Sequence, residues 1–175
     1  VRDFAGAKRL AEVQRPFVEA RLQRQGVGLL YMVPWPAAGF YTQVPLSSVE
    51  VLRGSRFRTF SPMTNRFAAL VGANPVLVQA AELAQAFATG IANAMVTSAQ
   101  TGVDTSAWDY AKVFTPATFS MTKNAVLVSR RAMEALPADQ RAAVLDQARR
   151  AEERGWRYAE EAQVAAERRL AERGL

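Results

Sequence analysis

Between Arg56 and Val96 the chain reads RFRTFSPMTNRFAALVGANPVLVQAAELAQAFATGIANAMV, and its punctuation sets the fold class. Arg56–Phe60 alternates polar and apolar residues, which predicts a strand with one exposed face. Ser61-Pro62 reads as a helix start, a capping hydroxyl followed by proline where the missing N–H costs nothing. That helix carries Phe67, Leu70 and Val71 and stops at Gly72. Asn74-Pro75 reads as a turn and Val76–Val78 as a strand. Ala81–Thr89 reads as a helix closed by Gly90, and Ile91–Val96 as a further strand. Strands and helices alternating at this spacing indicate α/β architecture.

Outward from this stretch the pattern continues. Residues 1–25 read as an amphipathic helix with Phe4, Leu10, Val13, Phe17 and Leu22 at helical steps, stopped by Gly26. Val27–Val33 is a short apolar run, most simply a buried strand. Pro34, Trp35, Pro36 and Gly39 form a loop, and Phe40–Val44 a second short strand. Downstream, Thr101–Phe114 is predicted helical and Ser120–Ser129 extended, with Ala125–Val128 buried. From Pro137 to about Arg173 only Gly155 interrupts a helical composition, which predicts one helix of roughly 35 residues, about 50 Å long. The expected division is 1–136, partial α/β lobes, and 137–175, the long helix.

Composition narrows the chemistry. Of 175 residues half are hydrophobic, enough for a real core. There is no cysteine and no histidine. Thiol nucleophiles, disulfides, Ser-His-Asp catalysis and histidine-based zinc sites are therefore excluded within the chain. The net charge of +6 invites a nucleic-acid reading. Its distribution argues against one, because the arginines of the last third are interleaved with glutamates, as on a solvated helix face. No apolar run approaches the roughly 20 residues that span a bilayer.

Several motifs, in order, are similar to those of the solute receptors of TRAP transporters, the DctP type. They are Leu52-Arg53-Gly54 with Phe57-Arg58-Thr59, then Val71-Gly72-Ala73-Asn74-Pro75-Val76. Glu82 with Ala86–Gly90 (AFATG) follows, then Ile91–Ala94 (IANA), with Asn93 where aspartate is usual, and Met133–Asp139 (MEALPAD). Thr97–Tyr110 (TSAQTGVDTSAWDY) and Thr122–Ser129 (TKNAVLVS) resemble one subgroup most. The resemblance implies a two-lobed architecture like the type II periplasmic binding proteins, with hinge-crossing strands and a long C-terminal helix. Receptors of this family are longer, so most of the first lobe would precede Val1. It further implies a periplasmic receptor, not an enzyme, that captures a small organic acid and hands it to the permease's membrane subunits. No cofactor, metal or nucleic-acid partner is expected, and the truncated chain is expected to self-associate. The alternative is a periplasmic sensing module that signals to a membrane sensor without transport.

Arg58 stands at the family's ligand-clamping arginine, and a guanidinium fork meets both oxygens of a carboxylate. The plainer reading is an exposed strand-face arginine. The second cation that the resemblance leads one to expect has no counterpart in Gln43-Val44-Pro45; Lys123 is an alternative source, or equally a surface residue. Trp35 would supply an aromatic wall or pack on its own lobe. Thr97 and Ser98 follow a strand where the family often places a ligand-touching asparagine; helix capping before Thr101 is their other reading. Asn124 precedes a strand used near the cleft, or serves a turn. Trp108, Asp109 and Tyr110 read as packing and surface.

Overall fold

The computed structural model describes all residues from Val1 to Leu175. In chain order its elements are α1 (Phe4–Gln23), β1 (Val27–Pro34), β2 (Ala38–Thr42), β3 (Arg56–Thr59), α2 (Pro62–Leu70) and β4 (Asn74–Leu77). There follow α3 (Leu83–Ala88), β5 (Ala94–Ser98), α4 (Ala99–Asp104), β6 (Val113–Thr115), β7 (Lys123–Ser129), α5 (Arg130–Glu134) and α6 (Ala138–Glu172). They form two compact units, each assembled from two stretches of chain: Val1–Trp35 with Met121–Glu161, and Pro36–Ser120 with Ala162–Leu175.

The second unit holds a five-stranded sheet in the order β4-β3-β5-β2-β6. β3 lies parallel to both β4 and β5, and β2 lies antiparallel to β5 and β6. Ser61 caps α2 and Thr64 answers it, the reciprocal pair that Ser61-Pro62 announces. Each face of the sheet carries its own core. Tyr41, Met95, Leu83, Phe87, Ala166 and Leu170 pack on one face. On the other, Phe40, Phe57, Val96, Leu52 and Ala68 pack with Phe67 and Phe119 against them. The Phe40, Phe67 and Phe119 rings meet at centroid distances of 4.8 to 5.6 Å, a geometry worth about 0.5–1.5 kcal/mol per pair beyond area burial.

Four local expectations are corrected here. β3 has no exposed face along Phe57, Arg58 and Thr59, because it is an interior strand covered on both sides. Asn74-Pro75 is no turn but the start of β4, an edge strand where a proline costs no ladder bond. β5 begins at Ala94, since Asn93 is spent accepting the Arg56 N–H, so Thr97 and Ser98 end the strand instead of following it. Finally, Thr101–Phe114 is not one helix. α4 stops at Asp104, Ser106 adopts a left-handed conformation (φ 52°), and a single 3-10 turn over Ala107–Asp109 leads to β6.

In the first unit β1 and β7 pair antiparallel, from Val27 opposite Ser129 to Pro34 opposite Lys123. β7 is not buried as expected: Leu127 is 48% exposed, because β7 has one strand partner and an uncovered side. α1 packs through Ala7 and Ala11 against Met32 and Trp156. Its larger apolar residues Val13 and Phe17 stay 60% and 74% exposed, since small side chains allow the close helix approach that large ones would block. Met32 has both backbone groups turned to α6, where Glu152 accepts from its N–H at 3.1 Å and Trp156 donates to its carbonyl at 3.0 Å. Arg15 grips the same Glu152 at 2.5 and 2.6 Å.

α6 runs unbroken for 35 residues, as its composition predicts. Gly155 lies within it for a packing reason: a Cβ there would stand 2.3 Å from Val33 Cγ1. Its solvated face carries Arg–acid pairs one turn apart, including Arg150–Asp146, Arg157–Glu161 and Arg168–Glu172. Beyond Glu161, Gln163 accepts from the Ala37 N–H at 3.0 Å within the second unit. No helix is long and apolar enough to cross a membrane.

Candidate functional site

Parallel strands deliver side chains to a common carboxyl edge, the usual ligand side of an open α/β sheet. In the second unit that edge is formed by β3, β4 and β5. Arg58 reaches it from β3, buried to 4% exposure. Its Nε donates to the Val78 carbonyl at 2.9 Å, just past the end of β4. Its guanidinium carbon lies 4.8 Å from the centre of the Phe60 ring. No carboxylate is paired with it; every ion pair of the chain is made by other residues. Burial lowers its pKa from the ordinary arginine value, while the nearby Tyr110 pulls the other way. A guanidinium remains charged at neutral pH, so the protein holds a buried cation without its anion.

Register places Arg58 beside Met95 of β5, so the two side chains share a face, and Thr97 two residues on lies on that face as well. Thr97 is buried and its hydroxyl makes no hydrogen bond within the protein. Ser98 is occupied differently. Its Oγ accepts from the Thr101 N–H at 3.1 Å and so caps α4, and its carbonyl accepts from the Tyr41 hydroxyl at 3.1 Å. Of the two readings open for Ser98, the capping one is present.

Tyr110 is the neighbour that sequence reasoning set aside. Met95 and Val78 belong to the core cluster that Tyr110 borders, and the Tyr110 ring packs on Phe87 with centroids 4.8 Å apart. Gln43 donates to the Tyr110 carbonyl at 2.8 Å. A groove of about 820 Å³ opens along α2 and the ends of β3 and β4; Phe60 lines it, Arg58 does not.

Trp35 and Asn124 lie in the first unit and meet each other. The Trp35 indole donates to Asn124 Oδ1 at 3.0 Å, and its backbone N–H donates to the Thr122 carbonyl at 2.9 Å. The ring is 43% exposed and held in a fixed attitude. Lys123, alongside, forms no ion pair. No three His, Cys, Asp or Glu side chains are grouped to hold a metal ion.

Comparison with known proteins gives this geometry its setting. The family described as bacterial extracellular solute-binding protein, family 7 (DctP), matches residues 3–175. An extracytoplasmic solute receptor from Bordetella pertussis that binds pyroglutamic acid matches with a TM-score of 0.94 at 42% identity, over 99% of this chain and 57% of that one. A second receptor from the same organism, also binding pyroglutamic acid, matches at 0.94 and 39% identity, over 98% and 57%. A marine-metagenome TRAP solute-binding protein specific for pyroglutamate matches at 0.90 and 28% identity, over 99% and 57%. The chain thus spans a little over half the length of these receptors. The comparison with curated proteins found no match.

Proposed function

We propose that this chain, which belongs to the bacterial extracellular solute-binding protein family 7, binds a small organic acid through Arg58 as the receptor of a TRAP-type transporter. The observation that carries the reading is the buried, unpaired Arg58 guanidinium. A buried charge without a partner is costly, and an incoming carboxylate removes that cost while gaining charge-assisted bonds. With Nε held by Val78, the terminal nitrogens remain for a carboxylate. Thr97 adds a free hydroxyl on the same sheet face, and Ser98 supports it by fixing the turn into α4. Trp35, braced by Asn124, is proposed as an aromatic ligand surface carried by the first unit.

Pyroglutamate is the first ligand to test, because the relatives at 42% and 39% identity bind it. Delivery to membrane permease subunits, and a periplasmic setting, follow from the family and form part of the proposal. Native mass spectrometry of the protein as its gene encodes it is expected to show a retained small carboxylic acid that is lost on denaturation. Turnover of organic acids instead of simple retention would contradict the receptor reading. Adjacent genes for a small and a large membrane subunit would support transport over sensing.

A further inference from the structure

We infer that the Tyr110 hydroxyl is an acceptor-only group that selects acids carrying a neutral N–H or O–H donor close to the carboxylate. The inference rests on the reading of Arg58 as the carboxylate site and adds a second point of recognition to it.

Thr105 Oγ1 lies 2.8 Å from the Thr101 carbonyl, which can only accept, so the single Thr105 hydroxyl proton is directed there. Tyr110 Oη lies 2.6 Å from the same Thr105 Oγ1. With the threonine proton already committed, Tyr110 must be the donor of that bond. Its phenolic proton is therefore used, and its lone pairs receive no donor from the protein. Burial raises the Tyr110 pKa, more than Thr105 and Arg58 offset, so the phenol is neutral at physiological pH.

The oxygen is also well held. Phe87 packs on the ring, Gln43 fixes the backbone, and Thr105 fixes the hydroxyl. Arg58 offers donors without acceptors, and its Nε bonds Val78, a member of the core cluster that Tyr110 packs against. The complement to this pair is a carboxylate with a donor beside it. That donor should be uncharged, because an ammonium group there would meet the Arg58 charge at close range. Amide N–H and hydroxyl groups satisfy the condition; a plain carboxylic acid leaves the tyrosine lone pairs without a ligand donor, which costs affinity wherever the bound acid excludes water.

The test compares pyroglutamate with its lactone counterpart, 5-oxotetrahydrofuran-2-carboxylate, in which a ring oxygen replaces the N–H. Both are titrated calorimetrically into the gene-encoded protein and into its Tyr110→Phe variant. The wild type is expected to favour the lactam by about tenfold to a hundredfold, and Tyr110→Phe to erase most of that preference by weakening the lactam alone. Equal wild-type affinities would overturn the inference, whether or not the variant folds. Equal weakening of both ligands in a folded variant would overturn it too, since that is the mark of a structural role. A wild type that binds neither acid would instead defeat the Arg58 reading beneath it.

Discussion

Arg58 carries a charge that the protein does not neutralise, and that has a consequence for stability apart from binding. Replacing a buried, unpaired cation by an apolar side chain of similar length removes a desolvation cost. Arg58→Met is therefore expected to leave the melting midpoint unchanged or to raise stability by up to about 2 kcal/mol, while abolishing carboxylate binding. A marked loss of stability in thermal denaturation would make Arg58 a structural residue. Tyr41 gives a second residue-scale expectation. Burial pushes its phenol far above the ordinary value, with Tyr110 and Glu167 adding to the rise. Below about pH 10 both folded and unfolded chains keep the proton; above it the unfolded chain releases it first. The unfolded state then binds fewer protons, so stability falls as pH rises past that point. Tyr41→Phe is expected to flatten this fall in urea midpoints between pH 8 and 11, at a neutral-pH cost of about 1 kcal/mol for the lost bond to Ser98. Arg58 and Thr97 enter the proposed site through the family motifs they match. Tyr110 could not be found that way, since its use as an acceptor depends on a proton count through Thr105 and Thr101 that only coordinates supply.

At the scale of elements, the punctuated segments were legible and the unpunctuated ones were not. Ser61-Pro62 and Pro137 mark helix starts by local chemistry, and both helices begin there. Thr101–Phe114 holds no proline or internal stop strong enough to show the break at Ser106, although Asp104, Thr105 and Ser106 are all modest helix formers. The buried side of α1 was misread because its contacts are made by Ala7 and Ala11, whose weak hydrophobic signal is drowned by Val13 and Phe17. Gly155 shows why a glycine is tolerated inside α6. Alanine there would gain up to about 1 kcal/mol of helix propensity but overpack against Val33, a cost of about 1–3 kcal/mol. Gly155→Ala should therefore destabilise despite the better propensity, and Val33→Ala in the same chain should recover most of the loss. Thermal melts of the single and double variants check this; a stabilised single variant would show that β1 and α6 are not in close contact.

For the whole molecule, the α/β class was readable from element alternation, whereas the assembly of each unit from two distant stretches was not, because long-range pairing leaves no local mark. β1 meets β7, and the last part of α6 completes the core of the second unit. The first unit leaves Val13, Phe17 and Leu127 exposed, and it also carries an apolar groove of about 470 Å³ lined by Leu30, Tyr31, Val126 and Val144. Exposed apolar side chains together with an apolar groove favour association with a partner. The 175-residue chain by itself is accordingly expected to scatter light as a species larger than a monomer; a stable monomer at high concentration would contradict that.

The central claim, that Arg58 holds the carboxylate of a small acid, is tested most directly by calorimetric titration of pyroglutamate into the gene-encoded protein and its Arg58→Lys variant. Lysine keeps the charge but lacks the fork, so the account predicts an affinity loss of about tenfold to a hundredfold, roughly 1.5–3 kcal/mol, with the fold intact. Unchanged affinity in the lysine variant would contradict it.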